Sequence, residues 1–346
     1  MRILVTGHDG YIGAVLVPML LRDGHQVVGL DSSLYERADF TAAPPLAEVP
    51  RIHKDLRDLV ADDVRGFDAV IHLAALSNDP LGNLDASLTR QINFEASLRC
   101  AELAKAGGTR RFLFSSSCST YGAAGDEMLD ESAAFRPVTP YAVEKVNLER
   151  ALAELADDDF SPVYLRNATA YGVSRRLRLD IVLNNLVGWA HTTGRVLLLS
   201  DGTPWRPIVH VEDICRAFLA ALAAPRELVH DEAFNVGRSE HNYRILELAE
   251  IVAETVPGAR VEIASDAGPD ARSYRVDFRK IEEKLPGFQP QWDARRSARE
   301  LYDAYRRFGL RRDHLERSPF VRLAELERRI HEGEIEADLR PRVHAL

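Results

Sequence analysis

Arg2-Ile3-Leu4-Val5-Thr6-Gly7-His8-Asp9-Gly10-Tyr11-Ile12-Gly13 follows Met1, and its reading decides the fold. Arg2 to Thr6 is a short apolar run of strand character that breaks into three glycines. Ala14 to Arg22 then carries apolar residues at helical spacing. A second apolar strand, Gln26-Val27-Val28-Gly29-Leu30, stops at Asp31. Strand, glycine turn, helix, strand and terminal acid within about thirty residues form the βαβ signature of a dinucleotide site. Gly7 permits the tight turn, Gly10 lets backbone N–H groups approach a pyrophosphate, and Gly13 lets the helix pack closely on the strand. Asp9, Tyr11 and Ile12 share that turn, and the helix start adds N–H donors and a positive dipole end. Asp31 can accept from both ribose hydroxyls of an adenosine and would repel a 2′-phosphate. NAD is therefore expected in preference to NADP.

The chain has 346 residues, 46% hydrophobic and 28% charged, with no low-complexity tract. That suits a soluble globular protein with a large core, long for a single domain. A net charge of −9 argues against a nucleic-acid partner, which needs a basic face. Cys100, Cys118 and Cys215 have neither paired nor metal-like spacing, so no metal is expected. A strand beginning at residue 2 leaves no room for a signal peptide. No apolar run approaches the roughly 18 residues of a membrane helix. A cytoplasmic, reduced location without a membrane partner is the expectation.

Further along, His53-Lys54-Asp55-Leu56 follows a short segment of mixed character. Asp55 can either meet an adenine amino group or cap the helix after it. Asp68 to Ala75 reads as a buried parallel strand whose end, Leu73-Ala74-Ala75, leaves room for a cofactor or simply packs. Ser77-Asn78-Asp79-Pro80 is then a polar loop at a strand's carboxyl end, where ligands of open α/β sheets sit. A long helix over residues 86–106 carries Asn93. Arg111 to Phe114 is a strand that breaks at Ser115-Ser116-Ser117-Cys118-Ser119-Thr120-Tyr121-Gly122. Thr139 is placed as N-cap and Pro140 as first residue of a helix reaching about Leu155. Tyr141 and Lys145 lie four apart on one face of it. Beyond Tyr171 comes a discontinuous second region with helices near residues 180–191, 211–223, 243–256 and 294–308. The charged tail, residues 309–346, is most helical at 325–330 and reads as a solvated or subunit-covering helix.

Glycine turn, serine-rich strand end and Tyr-x-x-x-Lys, in this order, resemble the extended short-chain dehydrogenase/reductase family, and within it the nucleotide-sugar epimerases. The resemblance covers about residues 1–308. It rests on Thr6-Gly7-x-x-Gly10-x-x-Gly13, Asp31, Ser115-Ser116-Ser117, Tyr141-x-x-x-Lys145, Arg166, and Pro204-Trp205-Arg206-Pro207 running into Val209-His210-Val211-Glu212-Asp213. It implies an α/β fold, a doubly wound parallel Rossmann sheet with a smaller C-terminal α/β substrate-binding region. Residues 1–170, with some later segments returning, would bind NAD, and residues 171–308 mainly the nucleotide sugar. Leu56 and Asn93 complete the expected cofactor contacts. A homodimer is implied, paired through the helices over 86–106 and 141–155.

The resemblance assigns catalysis to Ser117, Tyr141 and Lys145, and side-chain chemistry agrees. A free tyrosine titrates near 10 and is a poor base. A lysine ammonium one turn away, with a positive nicotinamide ring, favours the phenolate. Tyr141 would take a hydroxyl proton while hydride passes to NAD; Ser117 would share the proton and Lys145 hold the nicotinamide ribose. Taken alone, Tyr141 and Lys145 would read as a surface pair. Related 4,6-dehydratases place an Asp-Glu pair after the catalytic hydroxyl residue, where this chain has Cys118 and Ser119. Dehydration is thereby disfavoured, as is the decarboxylase reading, which uses a Glu there. Cys118 can be an acid or base, one position off the cysteine of GDP-mannose 3,5-epimerases, or a small buried residue. Arg206 resembles the arginine that grips the nucleotide diphosphate, a task for a planar donor fork. Arg272 resembles a second phosphate or ribose contact. Ser77, Ser119, Asn167 and Thr169 complete the substrate set, Thr169 standing where relatives often have Asn. Arg175-Arg176-Leu177-Arg178 replaces a Gly-Pro continuation, and faces phosphates, a subunit or solvent. His210 is expected to orient a loop rather than bind metal.

The expected reaction is epimerisation of a nucleoside diphosphate sugar, at C4 through a transient keto-sugar. A nucleotide-sugar 4-ketoreductase would use the same residues, and a non-catalytic NAD-binding regulator is the alternative of another class. Asp31 makes the cofactor preference testable. Calorimetry should show NAD binding at least about tenfold tighter than NADP, a difference one repelled phosphate readily supplies. Equal or tighter NADP binding contradicts it.

Overall fold

A computed structural model describes residues 1–122, 127–268 and 273–342. Its frame is a parallel sheet of β1 (Arg2–Thr6), β2 (Gln26–Asp31), β3 (Arg51–His53), β4 (Ala69–His72), β5 (Arg111–Ser117), β6 (Ser161–Asn167) and β7 (Glu232–Val236), in the order β3-β2-β1-β4-β5-β6-β7. Apolar side chains fill both faces, as a parallel sheet covered on each side requires. Along β1 the alternation is plain: Ile3 and Val5 enter one core and Leu4 the other.

The longer helices are α1 (Gly13–Arg22), α2 (Ser97–Ala106), α3 (Pro140–Leu155), α4 (Val182–Thr193), α5 (Val211–Ala223), α6 (Ile245–Thr255), α7 (Ala294–Phe308) and α8 (Arg322–His331). Leu16, Val17 and Leu20 of α1 and Ile214, Ala217 and Phe218 of α5 cover the first face. Cys100, Ala101 and Ala104 of α2 and Leu148 and Leu152 of α3 cover the second. The expected long helix over 86–106 is continuous in course but contains a π-helical turn, Gln91–Ala96, between Ala86–Arg90 and α2. Such turns recur at functional sites.

β7 returns to the edge of the sheet from beyond residue 230, so the cofactor half of the fold is not one contiguous stretch. Helices α4, α6 and α7 pack on one another in a separate core. Beside them Arg195–Ser200 pairs with Arg260–Gly268, and Trp205–His210 lies between Thr169–Tyr171 and Asn242–Arg244. α7 starts on the side chain of Asp293 and ends at Gly309, whose φ of 73° is the usual left-handed stop. Strand order reverses between β1 and β4, and the crevice outside their carboxyl ends is where an open sheet binds ligands.

Of the two expectations for the tail, the solvated helix is not what the structure shows. Its apolar residues sit at helical spacing, Leu323, Leu326 and Ile330, and this chain itself covers them. Leu326, Ile335 and Leu339 pack with Leu76, Leu81 and Leu88. Arg340 pairs with Asp58 and Arg37 with Glu334, pinning the segment across the carboxyl ends of β2 and β3. Among the described residues no helix is long and apolar enough to cross a membrane.

Candidate active site

A cavity of about 940 Å³ opens at the strand-order reversal. The glycine turn forms its floor, and each glycine answers a steric demand. Gly7 has φ +73°, and a Cβ there would stand 2.8 Å from the Ala74 nitrogen. A Cβ on Gly13 would meet the carbonyls of Gly7 and His8 at 2.4 Å. At Gly10 it would meet only the Gly7 carbonyl, at 3.1 Å, because the cavity lies on its other side. α1 begins at Gly13 without a side-chain cap. Asp31 accepts from the Asp9 amide at 3.1 Å and the Ser33 amide at 2.8 Å. Each carboxylate oxygen keeps a second lone pair. Burial raises the Asp31 pKa above the ordinary aspartate value. A glycine cradle at an uncapped helix start, with a half-buried acid at the next strand end, fits a dinucleotide.

Gly7, Asp9, Gly10, Tyr11, Ile12, Gly13, Asp31, Leu56, Leu73, Ala74 and Ala75 all line this cavity. Tyr11 spends its hydroxyl on the Gly172 carbonyl at 2.7 Å, joining the turn to the second region. Asp55 lines the cavity too, but its carboxylate is used as a cap. It accepts from the Arg57 amide at 2.8 Å and from the Arg57 guanidinium at 2.7 and 3.0 Å. Of the two roles open to Asp55, the structure shows the capping one. Asn93 does not reach the cavity. Its buried side chain, on the π-helical turn, clamps Leu76 by accepting from the amide at 2.8 Å and donating to the carbonyl at 3.0 Å. That fixes the loop after β4, which does line the cavity.

Thr139 caps α3 as expected, accepting from the Ala142 amide, and Pro140 occupies the first turn. Tyr141 and Lys145 therefore face the cavity together, with Ser117 at the end of β5. Gly82 makes room for Tyr141: a Cβ there would lie 2.8 Å from the tyrosine's own. Burial pushes the Tyr141 pKa up to about 12, against a hydrogen bond from Ser117 that lowers it. Lys145 donates to the Ser115 carbonyl at 2.6 Å and lies 5.6 Å from the Tyr141 ring centre. Burial brings its pKa down to about 7, opposed by the charge of Glu149. Behind them Glu149 takes the Arg166 guanidinium at 2.7 Å and the Ser116 hydroxyl at 2.5 Å, so Arg166 braces β5 and β6 from inside.

On the substrate side Ser77, Ser119, Asn167, Thr169 and Arg206 line the cavity. Among the described residues, Ser119 Oγ and Asn167 Oδ1 are buried without hydrogen-bond partners, ready for a polar ligand. The Arg206 guanidinium lies 5.9 Å from the ring centre of Tyr274, another lining residue. Cys118 points away. Its thiol is wholly buried, donates to the Arg166 carbonyl at 3.1 Å, and is raised well above its ordinary pKa by that burial. The expected substrate contact by Cys118 is thus not made: it turns into the core as the strand end enters a 3₁₀ turn. Arg272 lies outside the described residues. His210 caps α5, bonds Glu300 at 3.1 Å and stacks 4.0 Å from Trp292.

Sequence reading missed Tyr35, Asp180 and the inward course of the arginine cluster. Arg176 and Arg178 face neither solvent nor another subunit. Arg176 pairs with Asp9 at 2.8 Å, and Arg178 with Asp180 at 2.9 Å, also donating to Ser77 Oγ at 3.0 Å. Arg175 alone turns outward, to Asp39. The replacement of Gly-Pro by Arg175-Arg176-Leu177-Arg178 was the available signal.

Known proteins resemble most of this chain. The NAD dependent epimerase/dehydratase family matches residues 3–237. A UDP-glucose 4-epimerase of Mycolicibacterium smegmatis is 31% identical over 306 residues, 84% of this chain and 94% of that one. MoeE5, solved with UDP-glucose and NAD, superposes with a TM-score of 0.76 at 29% identity, covering 89% of this chain and 99% of its own. DesIV, a dTDP-glucose 4,6-dehydratase of Streptomyces venezuelae with NAD bound, has a TM-score of 0.76 at 27% identity over 89% and 97%.

The buried lysine makes a prediction about stability. Lys145 titrates near 7 in the folded, ligand-free chain against an ordinary value of 10.5. Between those values the unfolded chain binds more protons, so stability rises with pH there. The burial cost is full below about pH 7 and fades toward pH 10. Ligand-free Lys145→Met should therefore melt above the parent at pH 6, with the gap narrowing by pH 9.5. Calorimetric scans showing a constant or widening gap contradict this.

Proposed function

This chain belongs to the NAD dependent epimerase/dehydratase family, and on that premise we propose that it epimerises a nucleoside diphosphate sugar at C4 through a transient keto-sugar. The observation that carries the reading is that Ser117, Tyr141 and Lys145 line one cavity together with the glycine cradle. Beside it, positions 118 and 119 hold a buried thiol and a hydroxyl where an elimination would need two carboxyl groups.

Bound NAD supplies a hydride acceptor that can return what it takes, and a positive charge that favours the Tyr141 phenolate. The protein does the rest. Tyr141 removes the proton from the sugar hydroxyl as the ketone forms and gives it back when the alcohol is restored. Ser117 donates to the same oxygen and holds it against Tyr141. Lys145, fixed by the Ser115 carbonyl, keeps a cation one helical turn from the phenol. Arg206 grips the diphosphate and leaves the sugar to turn beyond it, so that either face of the ketone could be presented to the cofactor side of the cavity. Ser119 and Asn167 offer buried polar atoms to the sugar hydroxyls. The likeness to the mycolicibacterial UDP-glucose 4-epimerase and to MoeE5 with UDP-glucose supports a UDP-hexose as first substrate to try.

The test follows nicotinamide absorbance during turnover of UDP-, GDP- and dTDP-sugars while products are identified by NMR. Inversion of a hydroxyl without net loss of NADH is expected. Tyr141→Phe should lose about 10²–10⁴ in rate, the worth of a positioned acid–base group, and still bind NAD. Ser117→Ala should lose less, because water can replace one hydrogen bond. One NADH consumed per product molecule would replace the epimerase reading with a ketoreductase, and full activity in Tyr141→Phe would defeat both.

A further inference from the structure

Arg322 opens α8, far outside the stretch that the family matches. It is 2% exposed, and among the described residues no carboxylate pairs with it. Its guanidinium lies 4.1 Å from the ring centre of Tyr35, and Nη2 donates to the Arg176 carbonyl at 3.0 Å. A longer contact, 3.5 Å, reaches the Pro319 carbonyl. Burial pushes its pKa down to about 10. A buried cation left with carbonyls and an aromatic ring is costly unless an anion joins it. Arg322 and Tyr35 both line the cofactor cavity, and the buried Tyr35 hydroxyl has no partner among the described residues.

The neighbours say which anion belongs there. Arg176, whose carbonyl holds Arg322, grips the carboxylate of Asp9 in the glycine turn. The Asp9 amide in turn donates to Asp31. Arg322 is thus tied through one residue to the turn that cradles a dinucleotide's diphosphate. Charge agrees. Arg176 and Arg178 on this wall are each paired with a carboxylate, Asp9 and Asp180, whereas Arg322 has no such pair among the described residues. Leu339, 2% exposed, lines the same cavity from the far end of the tail, which Arg340 and Asp58 pin in place.

We propose that the C-terminal segment is part of the cofactor site, with Arg322 facing the diphosphate of bound NAD and Leu339 closing the adenosine end. The tail then adds affinity and slows cofactor release. This rests on the cofactor alone and is independent of the sugar, so its failure would leave the epimerase reading standing.

The test compares ADP with adenosine, by calorimetry on full-length protein freed of nucleotide. Arg322→Met should weaken ADP roughly tenfold to a hundredfold, the worth of a charge-assisted hydrogen bond, and leave adenosine within about twofold. Arg322→Lys should recover part of the loss. An unchanged ADP affinity overturns the proposal. So does an equal loss for both ligands, which would mean that Arg322 only anchors the tail. If Arg322→Met does not fold, amide exchange in the parent decides: ADP should protect Arg322–His331 more than adenosine does, and equal protection, or none, overturns it.

Discussion

The ion pair between Arg176 and Asp9 is the interaction on which the two halves of this molecule depend. Both side chains are buried, and the guanidinium also reaches the carbonyls of Asp9 and Glu36. Asp9 belongs to the glycine turn of the first βαβ unit, and Arg176 to the chain that leaves the main sheet for the second region. Removing one partner of such a pair strands a charge in the interior, a loss of about 3–5 kcal/mol. The pair therefore does more than add stability. It fixes the turn against the second region, with Tyr11 and Ser174 bonded across the same seam. Because the cavity lies along this seam, its cofactor floor and its sugar-facing wall hold one relative position.

That position matters because the proposed chemistry passes a proton between hydroxyl groups, which must be held at hydrogen-bond distance. A phenol held near 12 and an ammonium held near 7 are both poised to exchange protons once charge enters the cavity. Burial makes each group sensitive to its neighbours, since charge interactions grow as water is excluded. Glu149, one helical turn beyond Lys145, with Arg166 and Ser116, forms the rigid backing for this pair, and Thr139 sets the start of the helix that presents it.

What could be read in the sequence was what depends on near neighbours. The glycine turn, the acid ending β2, the cap at Thr139 and the four-residue step from Tyr141 to Lys145 are local patterns, and each stands in the structure where its spacing put it. Long-range pairings were illegible. Arg176 and Asp9 are 167 positions apart, and nothing at either end names the other. Arg322 and Arg176 are separated by 146 positions, so a charged, helical tail looked like a surface feature. Asn93 and Asp55 read as cofactor contacts, but their side chains are spent on Leu76 and Arg57. Cys118 follows Ser117 in sequence, yet a 3₁₀ turn sends its thiol inward. Adjacency along a chain does not decide the direction of a side chain at the end of a strand.

The central claim is that hydride leaves a sugar carbon and returns to it within one cavity. The most direct measurement uses the sugar nucleotide that the enzyme turns over, deuterated at C4, in ordinary water, with the product examined by NMR and mass spectrometry. The account predicts inverted product that keeps its deuterium at C4, with none in solvent and none in free reduced cofactor. Deuterium lost to water, or released in NADH, would contradict it.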